Sequence, residues 1–277
     1  MTLLPQILAS GKIKRLYSSR GSGTTGEAHL AKYKNKKYLL RICPNEETAK
    51  RYINYYKKFR KYKFFPKLLE ESGKYLLFKF IEGGETREDN EDKKTIYQIG
   101  KICAIINKSK ANYDYKTVFL RKLKIIKEKN ILNEDKIKEI ECFYKKSKAK
   151  LKTSLDAGDV TNDNFVRGKN KKIYFVDIEA IKPNIKGFGI AKAYSSWFKK
   201  EDEREAFEKG YNSVSSMKFF NKDYNDLCTL VFLVHRIKFK FEKGEKRLVE
   251  ISIMKLNRIL CGKWVEMKSK IKSSLTD

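Results

Sequence analysis

Apolar and polar positions along the first third of the chain alternate with a period of two. Lys12 to Ser18 alternates, a Gly/Ser/Thr segment follows from Ser19 to Gly26, and Glu27 to Tyr33 and Lys37 to Cys43 flank a turn at Lys34 to Lys36, the pattern of a β-meander. From Glu46 to Lys61 neither Gly nor Pro occurs. Tyr52, Tyr55, Tyr56 and Phe59 there recur at helical spacing, and Pro66 stops the run. Lys67 to Glu70 and Tyr75 to Phe80 read as two more strands around the Ser72-Gly73 turn, before Gly83-Gly84 breaks the pattern. From Asp89 to Lys150 the period becomes helical, with apolar marks at Ile96, Ile99, Ile102, Ile106, Phe119, Leu123, Ile126, Ile137 and Ile140. The chain from Ala191 onward is again mostly helical, and Ser154 to Gly189 is loop-rich. The expected class is α+β: a small β-rich N-terminal part over residues 1–82 and a larger helical part over residues 83–277, with a glycine hinge between them.

Bulk composition sharpens this picture only in part. With 277 residues, 41% of them hydrophobic and 13% aromatic, the chain can bury a core although 35% of it is charged. The formal net charge of +29 raises nucleic acid, an anionic surface or an anionic substrate as partners. Lys far outnumbers Arg, and Lys, Ile, Asn, Tyr and Phe are enriched together, a mix that an AT-rich genome imposes on any protein. Five scattered Cys show no paired spacing, so neither a disulfide framework nor a zinc site is indicated and a reducing, cytoplasmic setting fits. Met1 to Ser10 holds a short apolar patch without the layout of a signal peptide. No stretch reaches the roughly 18 apolar residues of a spanning helix.

The chemistry concentrates in the loop-rich stretch. In Asp159-Val160-Thr161-Asn162-Asp163-Asn164-Phe165-Val166 an Asp is followed five positions later by an Asn and then by an apolar pair; the hairpin-like element Ile173 to Val176 ends at Asp177. Phosphoryl transfer asks a protein for a carboxylate beside the acceptor hydroxyl and for hard oxygen ligands that hold Mg²⁺ against the phosphates. Asp159 supplies the first, Asn164 and Asp177 the second, in the order and spacing of a kinase catalytic loop. The plain alternative makes Asp159 and Asn164 turn residues bonded to their own backbone. Gly21-Ser22-Gly23-Thr24-Thr25-Gly26 lies between two strands, where glycines let backbone amides approach phosphate, although no Lys-Ser/Thr follows as in a Walker loop. Arg41 sits on the third strand, where a kinase places the cation that grips the α and β phosphates. Adenine is expected at the junction of the two parts, near Phe80 and Ile81.

The run from Asp156 to Trp197 resembles the choline/ethanolamine kinase and aminoglycoside phosphotransferase superfamily. Asp159 and Asn164 match its His-x-Asp-x-x-x-x-Asn loop, and Val176-Asp177-Ile178-Glu179 its Ile-Asp-x-Glu strand end. Gly187-Phe188-Gly189-Ile190 is similar to the Gly-Phe-Asp-Ile segment of choline kinases, and Phe207-Glu208-Lys209-Gly210-Tyr211 to the Phe-x-x-Gly-Tyr helix that follows it. Ala157 stands where the pattern has His, and Gly189 where it has Asp. The resemblance implies a two-lobed protein-kinase-like fold, ATP and Mg²⁺ as cofactors, and a small-molecule hydroxyl compound as acceptor. It also implies Glu179 and Trp197 at the acceptor pocket, with Tyr194 and Trp264 as further walls, and a Glu partner for Arg41, for which Glu46 and Glu47 are candidates.

Two other readings stay open. The departures at Ala157 and Gly189 suit a pseudokinase or binding module of the same fold. The interleaved Lys57, Lys58, Arg60, Lys61 and Lys63 with Tyr and Phe residues from Tyr55 through Phe65 is the mixture that binds single-stranded nucleic acid, or else the amphipathic outer helix of a kinase N-lobe. No recognised nucleic-acid motif accompanies it, and His29 and His235 read as structural.

Overall fold

The computed structural model describes residues 2–9, 12–16, 26–85, 92–147, 150–198 and 200–273, the side chains only as far as residue 262 and without that of residue 85. The predicted phosphate loop at Gly21, Ser22, Gly23 and Thr24 and the Trp264 side chain lie outside them.

A five-stranded antiparallel sheet forms the N-terminal part, in the order β1 (Ile13–Arg15), β2 (Glu27–Tyr33), β3 (Lys36–Ile42), β5 (Tyr75–Lys79), β4 (Leu68–Ser72). Tight turns at Lys34-Asn35 and at Gly73-Lys74 make the hairpins. Helix α1 (Leu3–Ala9), which the sequence pattern showed only as a short apolar patch, packs Leu4 and Ile7 against Leu40 and Leu77 on one face of the sheet. Its first turn is satisfied from a distance. The Leu3 and Leu4 amides donate to the two Glu70 carboxylate oxygens at 2.6 and 2.5 Å.

Helix α2 (Glu46–Phe59) covers the other face. Asn45 caps it by accepting from the Thr48 amide at 2.8 Å, with Glu46 and Glu47 in the first turn and Lys57 and Lys58 in the last, each charge complementing the helix dipole. Its basic and aromatic residues are sorted by face. Tyr52, Phe59, Phe64 and Phe65 are buried and Tyr55 and Tyr56 pack on the core, so these rings are unavailable as a stacking platform for bases.

The long charged segment divides into α3 (Lys93–Asn107), α4 (Tyr115–Glu128) and α5 (Glu134–Lys146). The breaks fall at Asp114 and Asn133, whose side chains accept from the Thr117 and Lys136 amides at 3.1 and 2.9 Å. Four short strands interrupt the helices. β7 (Thr153–Asp156) pairs with β10 (Lys182–Ile185), and β8 (Phe165–Gly168) pairs with both β9 (Ile173–Phe175) and β6 (Gly83–Glu85). The strand that begins at Gly83 thus joins the β8–β9 hairpin and not the N-terminal sheet. Helices α6 (Phe188–Ser196), α7 (Glu201–Asn212), α8 (Lys222–Glu242) and α9 (Lys246–Ser273) complete the larger part. No described helix is long and apolar enough to cross a membrane.

One continuous core joins the two parts. Leu76 and Phe78 of β5, Tyr52 of α2, Ile99 and Ile102 of α3, Phe165 and Phe175 of the hairpin and Phe207 of α7 belong to it. A second core fills the bundle of α4, α5, α8 and α9. Where α3 crosses α7, backbone meets backbone: a Cβ on Gly210 would stand 2.0 Å from the Tyr97 carbonyl oxygen, and one on Gly100 2.2 Å from that of Phe207. Neither carbonyl can swing aside, because each is held in its helix. Gly210→Ala is therefore expected to destabilise the protein by about 2–3 kcal/mol, read as a lower denaturant midpoint. An unchanged midpoint would show that the two helices separate at little cost.

Candidate active site

Asp159, Asn164 and Asp177 arrive from three turns of chain that are tied together by hydrogen bonds. The Asn164 amide nitrogen donates to the Asp159 carbonyl at 2.8 Å, which closes the loop on itself. The Val176 amide donates to the Asn164 carbonyl at 2.9 Å, which fixes the end of β9, and with it Asp177, against that loop. The Asp159 carboxylate accepts from the Thr161 hydroxyl at 3.2 Å and is ion-paired to the Lys192 ammonium of α6. Thus the side-chain bonds of the turn are present, and they hold Asp159 instead of consuming it.

Arg41 crosses from the N-terminal sheet into this site. Its guanidinium lies 2.6 Å from Glu179 and 3.8 Å from Asp177. Neither of the two glutamates considered as its partner meets it: Glu46 and Glu47 are exposed in the first turn of α2, and Glu46 lies beside Gly73. The carboxylate that the resemblance assigned to the acceptor pocket, Glu179, is the one that pairs with Arg41. A cation on a strand and a carboxylate on the one-turn segment Ile178–Ala180 lock the two lobes together across the cleft. Burial pushes the Asp177 carboxyl up to about 7. The nearby Glu179 and Asp159 charges push the same way, against the opposing pull of Arg41.

The residue that organises the loop is Asp156, the last of β7, which the sequence reading passed over. Its side chain is buried and accepts four hydrogen bonds, from the amides of Gly158 (2.7 Å), Gly187 (2.9 Å) and Gly189 (2.9 Å) and from the Asn107 side chain (3.0 Å). Asn107 in turn accepts from the Tyr211 hydroxyl at 3.1 Å. This explains why Gly189 replaces the Asp of the related motif. A Cβ there would stand 2.8 Å from Val160 Cγ2 and 3.1 Å from Asp156 Oδ1, so the space for a carboxylate at this point is already filled from the other side. Gly187 and Gly189 of the Gly-Phe-Asp-Ile-like segment and Tyr211 of the Phe-x-x-Gly-Tyr helix are the members of this network that a motif had marked.

The remaining candidates fall around the cleft. Phe80 and Ile81 connect β5 to β6, where the Glu82 carbonyl accepts from the Lys169 amide at 3.1 Å and the Glu82 carboxylate meets the Lys169 ammonium at 2.6 Å. Trp197 stacks on Phe198 with ring centroids 4.6 Å apart and tilts against Phe165 at 6.3 Å, next to Asn164 in sequence. Tyr194 packs edge-on against Phe198, Phe207 and Phe220, so both rings serve the aromatic core beneath the site.

Asp156→Asn would turn amide protons toward two of the four donors in either orientation, so it is expected to cost about 3 kcal/mol in denaturant unfolding. Gly189→Asp should be at least as damaging by itself. Combined with Asp156→Ala and Val160→Ala, which vacate the space, it should recover part of the loss. Equal damage in the single and combined variants would refute this exchange of the bracing carboxylate.

No family model matches the chain, and no curated protein is similar to it in sequence. Its structure is nevertheless similar along nearly all its length to solved small-molecule kinases. A choline kinase from Streptococcus pneumoniae superposes with a TM-score of 0.64 at 15% identity, covering 94% of this chain and 98% of the other. A choline/ethanolamine kinase family protein from Mesorhizobium loti gives 0.66 at 13% identity, covering 91% and 88%. A spectinomycin phosphotransferase solved with ADP and spectinomycin gives 0.63 at 14% identity, covering 86% and 83%. The chain has the two-lobed fold of these kinases, with a small antiparallel sheet set over a larger helical lobe.

Proposed function

We propose that the protein is an ATP-dependent phosphotransferase acting on a hydroxyl of a small molecule. The observation that carries this reading is the convergence of Asp159, Asn164 and Asp177 in one hydrogen-bonded loop with Arg41 brought in from the other lobe. The fold shared with kinases of choline, ethanolamine and spectinomycin, one of them solved with ADP, agrees with it.

The donor set suits Mg²⁺. With its nitrogen committed to the Asp159 carbonyl, Asn164 has its amide oxygen left to give, and Asp177 is a carboxyl whose proton affinity is raised by burial and, further, by the Glu179 and Asp159 charges beside it. Among the described residues no group of three or more His, Cys, Asp or Glu could hold a metal, and two protein oxygens are what an ion that keeps water and phosphate ligands requires. Bound Mg-ATP supplies the γ-phosphoryl group and the neutralisation of its charge. Arg41, anchored by Glu179, and residues Gly21, Ser22, Gly23 and Thr24 would hold the phosphates, and Phe80 and Ile81 would flank the adenine.

Asp159 accepts the proton of the acceptor hydroxyl as its oxygen bonds to phosphorus and the bond to the ADP oxygen breaks. Lys192 keeps that carboxylate aimed and adds a positive charge next to the transferring group. The two departures from the motif do not disarm the loop in this reading, because Asp156 braces it without a polar side chain at 157 or 189.

Asp159→Ala should lower acceptor-dependent ATP turnover by about 10²–10⁴-fold while Mg-ATP still binds, as measured by coupled assay and calorimetry. Mg-ATP binding without turnover on any of choline, ethanolamine, aminoglycosides, sugars or their acidic derivatives would leave a nucleotide-binding module instead. Because Asp177 must lose its proton to bind metal, Mg²⁺ affinity should rise as pH increases through about 7 and lose that dependence in Asp177→Asn. A flat pH profile in the wild type would remove Asp177 from the metal site.

A further inference from the structure

Four lysines from four different elements stand near one histidine, and one of the four reaches Asp159. Lys192 of α6 reaches Asp159. Lys182 of β10 lies across the ladder from Asp156 and brings its Cε within 3.4 Å of the place a Gly158 Cβ would occupy. Lys122 of α4 and Lys238 of α8 come from helices that pack together. At the centre is His235 of α8, set edge-on to Phe188 at 6.4 Å and stacked on Phe239 at 6.1 Å, its Nδ1 buried with no partner among the described residues.

These charges are not balanced locally. Lys192 is paired to Asp159, and Lys238 meets Glu242 at 2.7 Å, but neither Lys122 nor Lys182 has a carboxylate partner among the described residues. Burial and the neighbouring positive charges act together on two of these groups. Burial, aided by Lys182, Lys238 and Arg121, pulls Lys122 down to about 8. Burial, aided by Lys122, Lys182, Lys238 and Lys192, pulls His235 down to about 3. Holding like charges together in a half-buried setting destabilises the free protein, and an anion bound among them offsets that cost. A quaternary or primary ammonium approaching these lysines meets repulsion instead.

We infer that the acceptor is an anionic hydroxyl compound, its phosphate or carboxylate held by Lys122, Lys182 and Lys238 while its hydroxyl faces Asp159. This rests on the phosphotransferase reading and narrows its substrate class, away from cations such as choline and kanamycin. The acidic group is bound and not consumed, so the reaction remains transfer of one phosphoryl group to oxygen.

His235 is a built-in reporter, since the chain has only two histidines and His29→Gln identifies its signal. The experiment follows the His235 ring resonance by NMR with and without saturating Mg-ADP, titrating inorganic phosphate, glycerol 3-phosphate, gluconate, choline and kanamycin. ATP turnover is measured on the same hydroxyl compounds. The anions are expected to move the signal and the cations to leave it in place, with turnover on at least one anionic compound. Lys122→Met and Lys182→Met should each weaken the anion response about tenfold with Mg-ADP affinity unchanged. A His235 signal unmoved by every anion, or turnover on choline or kanamycin, overturns the inference even where Mg-ADP binds. Failure of Mg-ADP to bind removes the phosphotransferase reading itself, and the inference falls with it.

Discussion

A single buried carboxylate, Asp156, determines the shape of the loop that carries Asp159 and Asn164. Its oxygens collect three backbone amides and one side-chain amide, from the loop itself, from the turn before α6 and from α3. A carboxylate removed from water is costly, and only a full set of donors makes it tolerable. Burial nevertheless pushes its proton affinity up against those four bonds. The consequence is rigidity: the segment from Ala157 to Asn164 cannot shift without stripping a charge of its partners. Asp159 inherits its position from that constraint, and Lys192 is placed by the same helix whose first turn Asp156 holds.

The second constraint is the Arg41–Glu179 pair, which acts between lobes as Asp156 acts within one. A half-buried, short guanidinium–carboxylate contact is stronger than an exposed one and more directional. It fixes how far the sheet stands from the hairpin that ends in Asp177. In this arrangement, closure of the lobes does not depend on a glutamate in α2, whose first-turn acids remain at the surface capping their own helix.

How much of this was legible in the sequence follows from the range of each interaction. Asp159, Asn164 and Asp177 were readable because the loop and hairpin that present them are local, so spacing carries the information. Arg41 was readable from its strand, but its partner was not, because 138 residues separate it from Glu179 and helix α2 offered two nearer glutamates. Asp156 was invisible for a different reason. Two of its donors are backbone amides 31 and 33 residues away, and a backbone N–H leaves no mark on residue type except where, as at Gly189, the approach excludes a side chain. Read that way, Gly189 was the available signal: a glycine in place of an acid says that the acid's space is taken. Helix α1 escaped because it is short and draws its cap from Glu70 in β4.

The same distinction between range and type bears on the chain's charge. A net charge of +29 read as composition says nothing about where the lysines stand, and many of them are exposed, where salt screens them. Three carboxylates, Asp159, Asp177 and Glu179, share the cleft with Arg41 and Lys192. That leaves a negative remainder on the hairpin side, suited to a divalent cation, while the lysines of α4, β10 and α8 leave a positive remainder near His235. The charge around Asp159 is therefore uneven, negative toward Asp177 and Glu179 and positive toward Lys182. Such a gradient arises from which element each charge is mounted on, so it survives in the fold even where the bulk composition is set by the genome.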